Sequence, residues 1–276
     1  MPELPEVETT LRGLEPHLLG HSINDVVVRN AALRWPIPPE VVQARGRSVT
    51  CCRRRAKYLL IDLDAQTGEK RCGLIIHLGM SGSLRICSAG DTPRKHDHFD
   101  LALDNGHCVR FNDPRRFGAL LWRSGPALDH QLLRDLGPEP LSNDFSGELL
   151  RQRARGRKGA VKNFIMDGRI VVGVGNIYAS EALFMSGIRP SRPAGRISAA
   201  RYEALAAAIR DVLSRAIRSG GTTLRDYLNS AGKPGYFAQE LLVYEREGKP
   251  CFQCGATIKR QVIGQRSSYY CPSCQR

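Results

Sequence analysis

A proline at position 2 is followed at once by glutamate at position 3, so removal of Met1 would set a secondary amine beside a carboxylate. With Met1 removed, which a small residue such as Pro2 favours, that amine becomes an α-amino group. It then titrates near ~8, against ~10.4 for a lysine. A useful fraction is therefore unprotonated at neutral pH and able to attack carbon and form a Schiff base. Glu3 supplies an acid next to it. The same residues also suit a purely structural purpose: Pro2 and Pro5 fit a helix entry, and Glu3, Glu6 and Glu8 complement the positive end of a helix. The remainder of the chain decides between the two.

The strongest isolated signal is Cys251-x2-Cys254, sixteen residues, then Cys271-x2-Cys274. Two such knuckles place four thiolates tetrahedrally around one Zn²⁺ at about 2.3 Å, with no open position, so the expected metal is structural. A site of this kind lets a short segment fold without a large core and project a stiff hairpin. Lys259, Arg260 and Arg266 lie between the knuckles, where a nucleic-acid finger wants its cations.

Other stretches carry charge, glycine or both. Arg53-Arg54-Arg55-Ala56-Lys57 reads as the entry to a strand, with Arg55 and Lys57 on one face by alternation. Val171 to Tyr178 lacks the third glycine and the βαβ pattern of a dinucleotide loop. A glycine turn opening a helix at Asn176 offers backbone N–H groups and an amide to a phosphate instead. Asp113-Pro114-Arg115-Arg116-Phe117-Gly118 sets two guanidiniums and an aromatic in a tight loop, and Met80 sits in a second glycine-flanked turn. Apolar side chains beside cations are what a protein needs to wedge into a base stack.

These residues must be positioned by a chain of 276 residues, long enough for more than one core. Lys and Arg number 41 against 27 Asp and Glu, and the balance of +14 points to a polyanionic partner. No run of 18 apolar residues occurs, and the N-terminus is acidic where a signal peptide is basic and then apolar. A cytoplasmic protein with no membrane partner is expected. Nine cysteines, four in the array and five scattered, suit a reducing compartment with one metal site.

Val7, Leu11, Leu14 and Leu18 recur at helical spacing and Gly20 supplies a stop. From Ile23 to about Arg123 the pattern becomes short alternating runs with Asn105-Gly106 as a hairpin turn, a β-sandwich or barrel behind one helix. Beyond Leu136 the period turns helical, with helices expected over Ser146–Arg155, Ala160–Met166, Asn176–Met185 and Ser198–Arg218. The fold class is therefore α+β and multidomain. The expected divisions are 1–136 for the helix and β domain, 137–240 for the helical domain and 241–276 for the finger.

Taken together, Pro2 to Glu8, Lys57, His77 to Gly82, Lys95 to His98, Asp113 to Gly118, Val172 to Tyr178, Gly220 to Thr223, Gly232 to Tyr236 and the four-cysteine array resemble the bacterial formamidopyrimidine-DNA glycosylases. The resemblance runs from end to end. It implies a β-sandwich, then a helix-two-turn-helix domain with a zinc finger, and a monomer that acts on double-stranded DNA carrying an oxidised purine or an abasic site. It implies base-excision repair in the bacterial cytoplasm, on nucleoid DNA, by a combined glycosylase and abasic-site lyase.

Residue by residue, the resemblance makes Pro2 the nucleophile and Glu3 its acid. Lys57 matches the proton donor of β-elimination, and Arg266 the finger arginine of δ-elimination. Met80, Arg115 and Phe117 match the residues that fill the void left by the flipped base, Arg115 facing the orphaned cytosine. His96, Lys162 and Asn176 match phosphate contacts, and Glu6 an acid of the lesion pocket. A further phosphate contact is expected within Arg155 to Lys158, with Arg157 the candidate. Ser219 to Lys233, rich in glycine, is the candidate lid. Two other functions fit parts of the sequence: an endonuclease VIII-like glycosylase of oxidised pyrimidines, and a non-catalytic DNA-binding zinc protein that would leave Pro2, Glu3 and Lys57 idle.

Overall fold

The computed structural model describes residues 2–65, 71–222 and 237–276. The chain divides into two compact units, Met1–Arg134 with Ser219–Tyr236, and Asp135–Arg218 with Phe237–Arg276.

The first unit opens with helix α1, Leu4–Leu18. It begins earlier than the apolar spacing alone requires because Pro5 and the reciprocal pair Glu3 and Glu6 form its first turn as a capping box. Pro16 lies in the last turn without ending the helix. Val7, Leu11, Leu14 and Leu18 are all buried. At roughly 2 kcal/mol for each fully buried aliphatic side chain, that face outweighs the capping and fixes the helix against the sheets.

Eight antiparallel strands follow: β1 (Ile23–Val28), β2 (Val49–Arg55), β3 (Tyr58–Leu63), β4 (Cys72–His77), β5 (Ser83–Ser88), β6 (Asp97–Leu103), β7 (His107–Asn112) and β8 (Ala119–Ser124). They form two four-stranded sheets, in the orders β1-β6-β7-β5 and β2-β3-β4-β8. One core joins them, with Leu59, Ile61, Leu74, Ile76 and Leu120 from one sheet and Leu84, Phe99, Leu101, Val109 and Phe111 from the other. Phe99 and Phe111 stack at 4.9 Å. The expected sandwich is present, and Gly106 turns its β6-β7 hairpin at φ 78°.

One local expectation fails. Lys57 does not continue a strand with Arg55, because Arg55 pairs with Tyr58 across a two-residue turn. Ala56 takes φ 55° there, a left-handed conformation that breaks the alternation.

The second unit contains α2 (Gly147–Ala154), α3 (Val161–Met166), α4 (Asn176–Met185) and α5 (Ala199–Arg218). Ser146 caps α2 by accepting from Leu149 N at 3.1 Å. Tyr202, Leu205, Ile209 and Val212 make the buried face of α5, and Ala216 continues it in place of the half-buried Ile217. The finger hairpin, β9 (Lys259–Ile263) and β10 (Arg266–Tyr270), belongs to the same unit. Its turn residues Gly264 and Gln265 have φ 55° and 61°, the paired positive values of a tight hairpin. Val243, Cys251, Ile258 and Cys271 pack on Phe184 of α4.

Candidate active site and nucleic-acid contacts

Pro2 immediately precedes the N-cap of α1 and is buried with it, Glu3 being 1 % exposed. The Glu3 N–H donates to Glu6 Oε2 at 2.8 Å. The other oxygen of Glu6 accepts from Thr222 N at 2.7 Å. One buried carboxylate thus ties the Pro2-Glu3 turn to the start of the glycine-rich stretch. Gly221, at φ +85°, lies so close that a Cβ there would stand 3.2 Å from Glu6 Oε1. The candidate lid beyond Thr222 falls outside the described residues.

The far side of α1 is fastened to the turn that carries Lys57. Glu8 Oε2 accepts from Arg54 Nε at 2.8 Å, and Arg54 Nη1 donates to Ala56 O at 3.0 Å. Burial raises the Glu8 carboxyl, but the hydrogen bonds and charges of Arg54 and Arg12 outweigh it and hold the group below the ordinary carboxylate range. Lys57 is half-buried. Its charge reaches His77, whose imidazole is lowered to about 4 by burial first, then by Lys57 and Arg34. His77 is therefore neutral at physiological pH, with Nδ1 accepting from Gly79 N at 2.9 Å and its ring 4.9 Å from that of Tyr58. The motif His77-Leu78-Gly79-Met80 contained this residue, but nothing in its spacing separated it from Met80 as a group beside Lys57.

Two loops of the first unit carry the candidate wedge. Met80 is 40 % exposed and Phe117 43 %, so both present apolar surface to solvent. The Arg115 guanidinium lies over the Phe117 ring at 5.1 Å. Asp113, buried at the root of this loop, is the residue that sequence reasoning passed over. His96 is half-buried at φ 71°, with its carbonyl accepting from Asp113 N at 3.1 Å.

In the second unit Asn176 begins α4, as the glycine turn implied. Its Oδ1 accepts from Lys162 Nζ at 2.6 Å and its Nδ2 donates to Tyr244 Oη at 3.3 Å. Lys162 is fully buried, and its ammonium also donates to Ser267 O at 3.0 Å and Ser268 Oγ at 2.7 Å. A cation so enclosed holds Asn176 and β10 together. Arg266, at the head of β10, is exposed. Glu181 of α4, 1 % exposed, accepts from the backbone N–H groups of Leu242, Val243 and Tyr244 at 2.8–3.0 Å and so fixes the approach to the finger. Arg157 is exposed and lines a cleft with Arg153, Asp167 and Arg169.

The four finger sulfurs lie within 4.8 Å of one another, with Cys251 and Cys274 3.9 Å apart and Cys254 and Cys271 3.4 Å apart. Zn–S bonds of about 2.3 Å in a tetrahedron put sulfurs roughly 3.8 Å apart, so the cluster fits one structural zinc. Among the described residues, no helix is long and apolar enough to cross a membrane.

Three family models match in series: the formamidopyrimidine-DNA glycosylase N-terminal domain over residues 1–120, the formamidopyrimidine-DNA glycosylase H2TH domain over 136–227, and the zinc finger found in FPG and IleRS over 248–276. A formamidopyrimidine-DNA glycosylase of Alcanivorax borkumensis is 59 % identical over 276 residues, covering 100 % of both chains. Among solved structures, the MutM (Fpg) protein from Thermus thermophilus superposes with a TM-score of 0.87 at 39 % identity, over 99 % of this chain and 98 % of that one. The Lactococcus lactis Fpg in complex with abasic-site DNA gives 0.91 at 29 % identity, over 100 % of each.

Proposed function

The chain belongs to the formamidopyrimidine-DNA glycosylase family, and from that membership we propose that it excises oxidised purines, 8-oxoguanine and formamidopyrimidines, from duplex DNA and then cleaves the strand. The observation that carries the reading is the buried Pro2-Glu3 turn, held at the head of α1 by Glu6. The target nucleotide leaves the stack at a cost of a few kcal/mol. The Pro2 nitrogen attacks C1′ of its deoxyribose, the bond to the base breaks, and the base departs. Glu3 manages the proton at the opening sugar. The resulting iminium acidifies the C2′ hydrogen. Its loss expels the 3′ phosphate, and a second elimination expels the 5′ phosphate.

Lys57, on its turn beside neutral His77, is the cation for the first elimination, and exposed Arg266 the one for the second. Met80, Arg115 and Phe117 fill the void in the duplex, with Arg115 addressing the orphaned cytosine. His96, Asn176 and Arg157 meet phosphates, with Lys162 acting through Asn176. Glu6 bounds the lesion pocket from below Thr222. The zinc takes part in no chemical step and holds the finger that carries Arg266. The net charge of +14 suits a monomer resident on the nucleoid DNA of the cytoplasm.

Borohydride trapping on a duplex with 8-oxoguanine opposite cytosine, followed by peptide mapping of the cross-link, tests the reading. An adduct on Pro2 is expected. Absence of an adduct from a chain verified to lack Met1 overturns the mechanism, and faster release of thymine glycol than of 8-oxoguanine would move the enzyme to the endonuclease VIII-like class.

A further inference from the structure

Met80 and the pair Arg115 and Phe117 lie on loops far apart in sequence, one joining β4 to β5 and the other β7 to β8. Because β4 pairs with β8 and β5 with β7, the two loops run side by side where the chain crosses between sheets. Their backbones touch so closely that a Cβ on Gly79 would stand 2.4 Å from the Phe117 carbonyl carbon. Asp113, 0 % exposed, ties them together. Its Oδ1 accepts from Ser81 Oγ at 2.6 Å and from Arg115 N at 3.2 Å, and its Oδ2 accepts from Gly118 N at 2.8 Å. Its backbone carbonyl accepts from His98 Nε2 at 2.7 Å. Ser81 Oγ, having donated its proton to Asp113, also accepts from Arg115 N at 3.3 Å.

We infer that Ser81 is a positioning residue for reading the base opposite the lesion: through Asp113 it locks the Met80 turn to the Arg115–Phe117 loop, so that the three side chains enter DNA as one rigid body. The inference rests on the void-filling reading above. Its physical basis is that the Arg115 N–H is gripped by the Asp113 carboxylate and the Ser81 hydroxyl together, which fixes the root of the guanidinium arm. A short hydrogen bond to a buried carboxylate is among the strong ones, and losing the hydroxyl leaves that oxygen short of a donor. The arm then samples more directions, and an arginine aimed at one base edge tolerates others.

The test compares Ser81→Ala, Ser81→Thr, Met80→Ala and Phe117→Ala for kcat/KM on 8-oxoguanine opposite cytosine and opposite adenine. Borohydride trapping on a single-stranded abasic oligonucleotide, which has no opposite base, serves as the control for a folded chain with a competent nucleophile. Ser81→Ala is expected to lose roughly tenfold of the preference for cytosine over adenine, the size of one hydrogen bond to a charged group, with single-strand trapping unchanged and Ser81→Thr restoring the preference. The coupling between Met80→Ala and Phe117→Ala in a double-mutant cycle should also collapse in the Ser81→Ala background.

Retention of the full preference by Ser81→Ala, while Met80→Ala and Phe117→Ala each lower it, overturns the inference and spares the void-filling reading. If neither of those two changes the preference, the void-filling reading falls and takes this inference with it. Should the alanine variant fail to fold, Ser81→Cys, a weaker donor, decides in its place: an intermediate preference supports the link and an unchanged one refutes it.

Discussion

Two fully buried charges of opposite sign organise the two units. In the first, the Asp113 carboxylate gathers donors from Ser81, Arg115 and Gly118. In the second, the Lys162 ammonium gathers acceptors from Asn176, Ser267 and Ser268. Asp113 joins two sheet-crossing loops distant in sequence and Lys162 joins a helix start to the finger hairpin, and each stands behind exposed residues of its own unit. The difference lies in what they aim. Asp113 holds apolar and guanidinium groups suited to the space between bases, whereas Lys162 holds an amide and the strand of Arg266, suited to phosphates. Specificity should therefore depend on the first and plain affinity on the second.

The harshest way to break this division is to remove the metal. Chelation of zinc, or Cys271→Ser, should unfold β9 and β10 and take away the Ser267 and Ser268 acceptors of Lys162, because folding of such a finger and metal binding are one event. DNA binding by fluorescence anisotropy should be lost for every duplex, matched or mismatched. Binding that persists after confirmed zinc loss would show that the Lys162 assembly does not need the finger.

Next in size, Lys162→Met should destabilise the protein by about 2–4 kcal/mol in urea unfolding, since the oxygens of Asn176, Ser267 and Ser268 lose a donor inside the second unit. It should weaken all DNA duplexes alike. Asp113→Asn should cost about 1.5–3 kcal/mol, because an amide NH₂ cannot accept from the N–H groups it would face. It should act mainly on the choice of opposite base. Equal loss of discrimination in both variants would erase the contrast.

A subtler test concerns His77 near Lys57. Its pKa of about 4 in the folded chain lies below the ordinary 6.5, so between those values the unfolded chain binds the extra proton. Stability should rise with pH across that window, by at most roughly 1.4 kcal/mol per pH unit, and level off above it. His77→Asn, which keeps an acceptor for Gly79 N, should remove that part of the slope in thermal unfolding followed against pH. Smallest of all, Arg157→Ala should reduce the slope of log affinity against log salt by about 1, without altering base preference. An unchanged slope would remove Arg157 from the phosphate contacts.

What could be read directly from the sequence was whatever had a period or a spacing. The α1 face, the hairpins, the start of α4 at Asn176 and the four-cysteine array all followed from patterns that local geometry repeats. Lys57 and Lys162 show why the rest did not. Alternation placed Lys57 on a strand, but Ala56 adopts φ 55° and turns the chain there, a choice made by pairing of β2 with β3 and not by residue type. For Lys162 the resemblance implies a phosphate contact, and nothing in its neighbours in sequence points to burial. Only the return of β10 more than a hundred residues later encloses it. Asp113 was visible as part of a loop, yet its partner Ser81 lies on another strand connection, and a hydrogen bond at that sequence distance leaves no periodic trace.

The near-contact of Gly79 with the Phe117–Gly118 backbone also bears on engineering. Gly79 and Gly82 in one loop and Gly118 in the other each have backbone or ring atoms closer than 3.0 Å to where a side chain would begin. Libraries that randomise either loop to retarget the enzyme would thus be dominated by clones in which the Phe117–Gly118 backbone, the Leu78 or His77 carbonyl or the Phe111 ring is displaced. A productive library would hold these three glycines, Ser81 and Asp113 constant, and vary Met80, Arg115, Arg116 and Phe117 together.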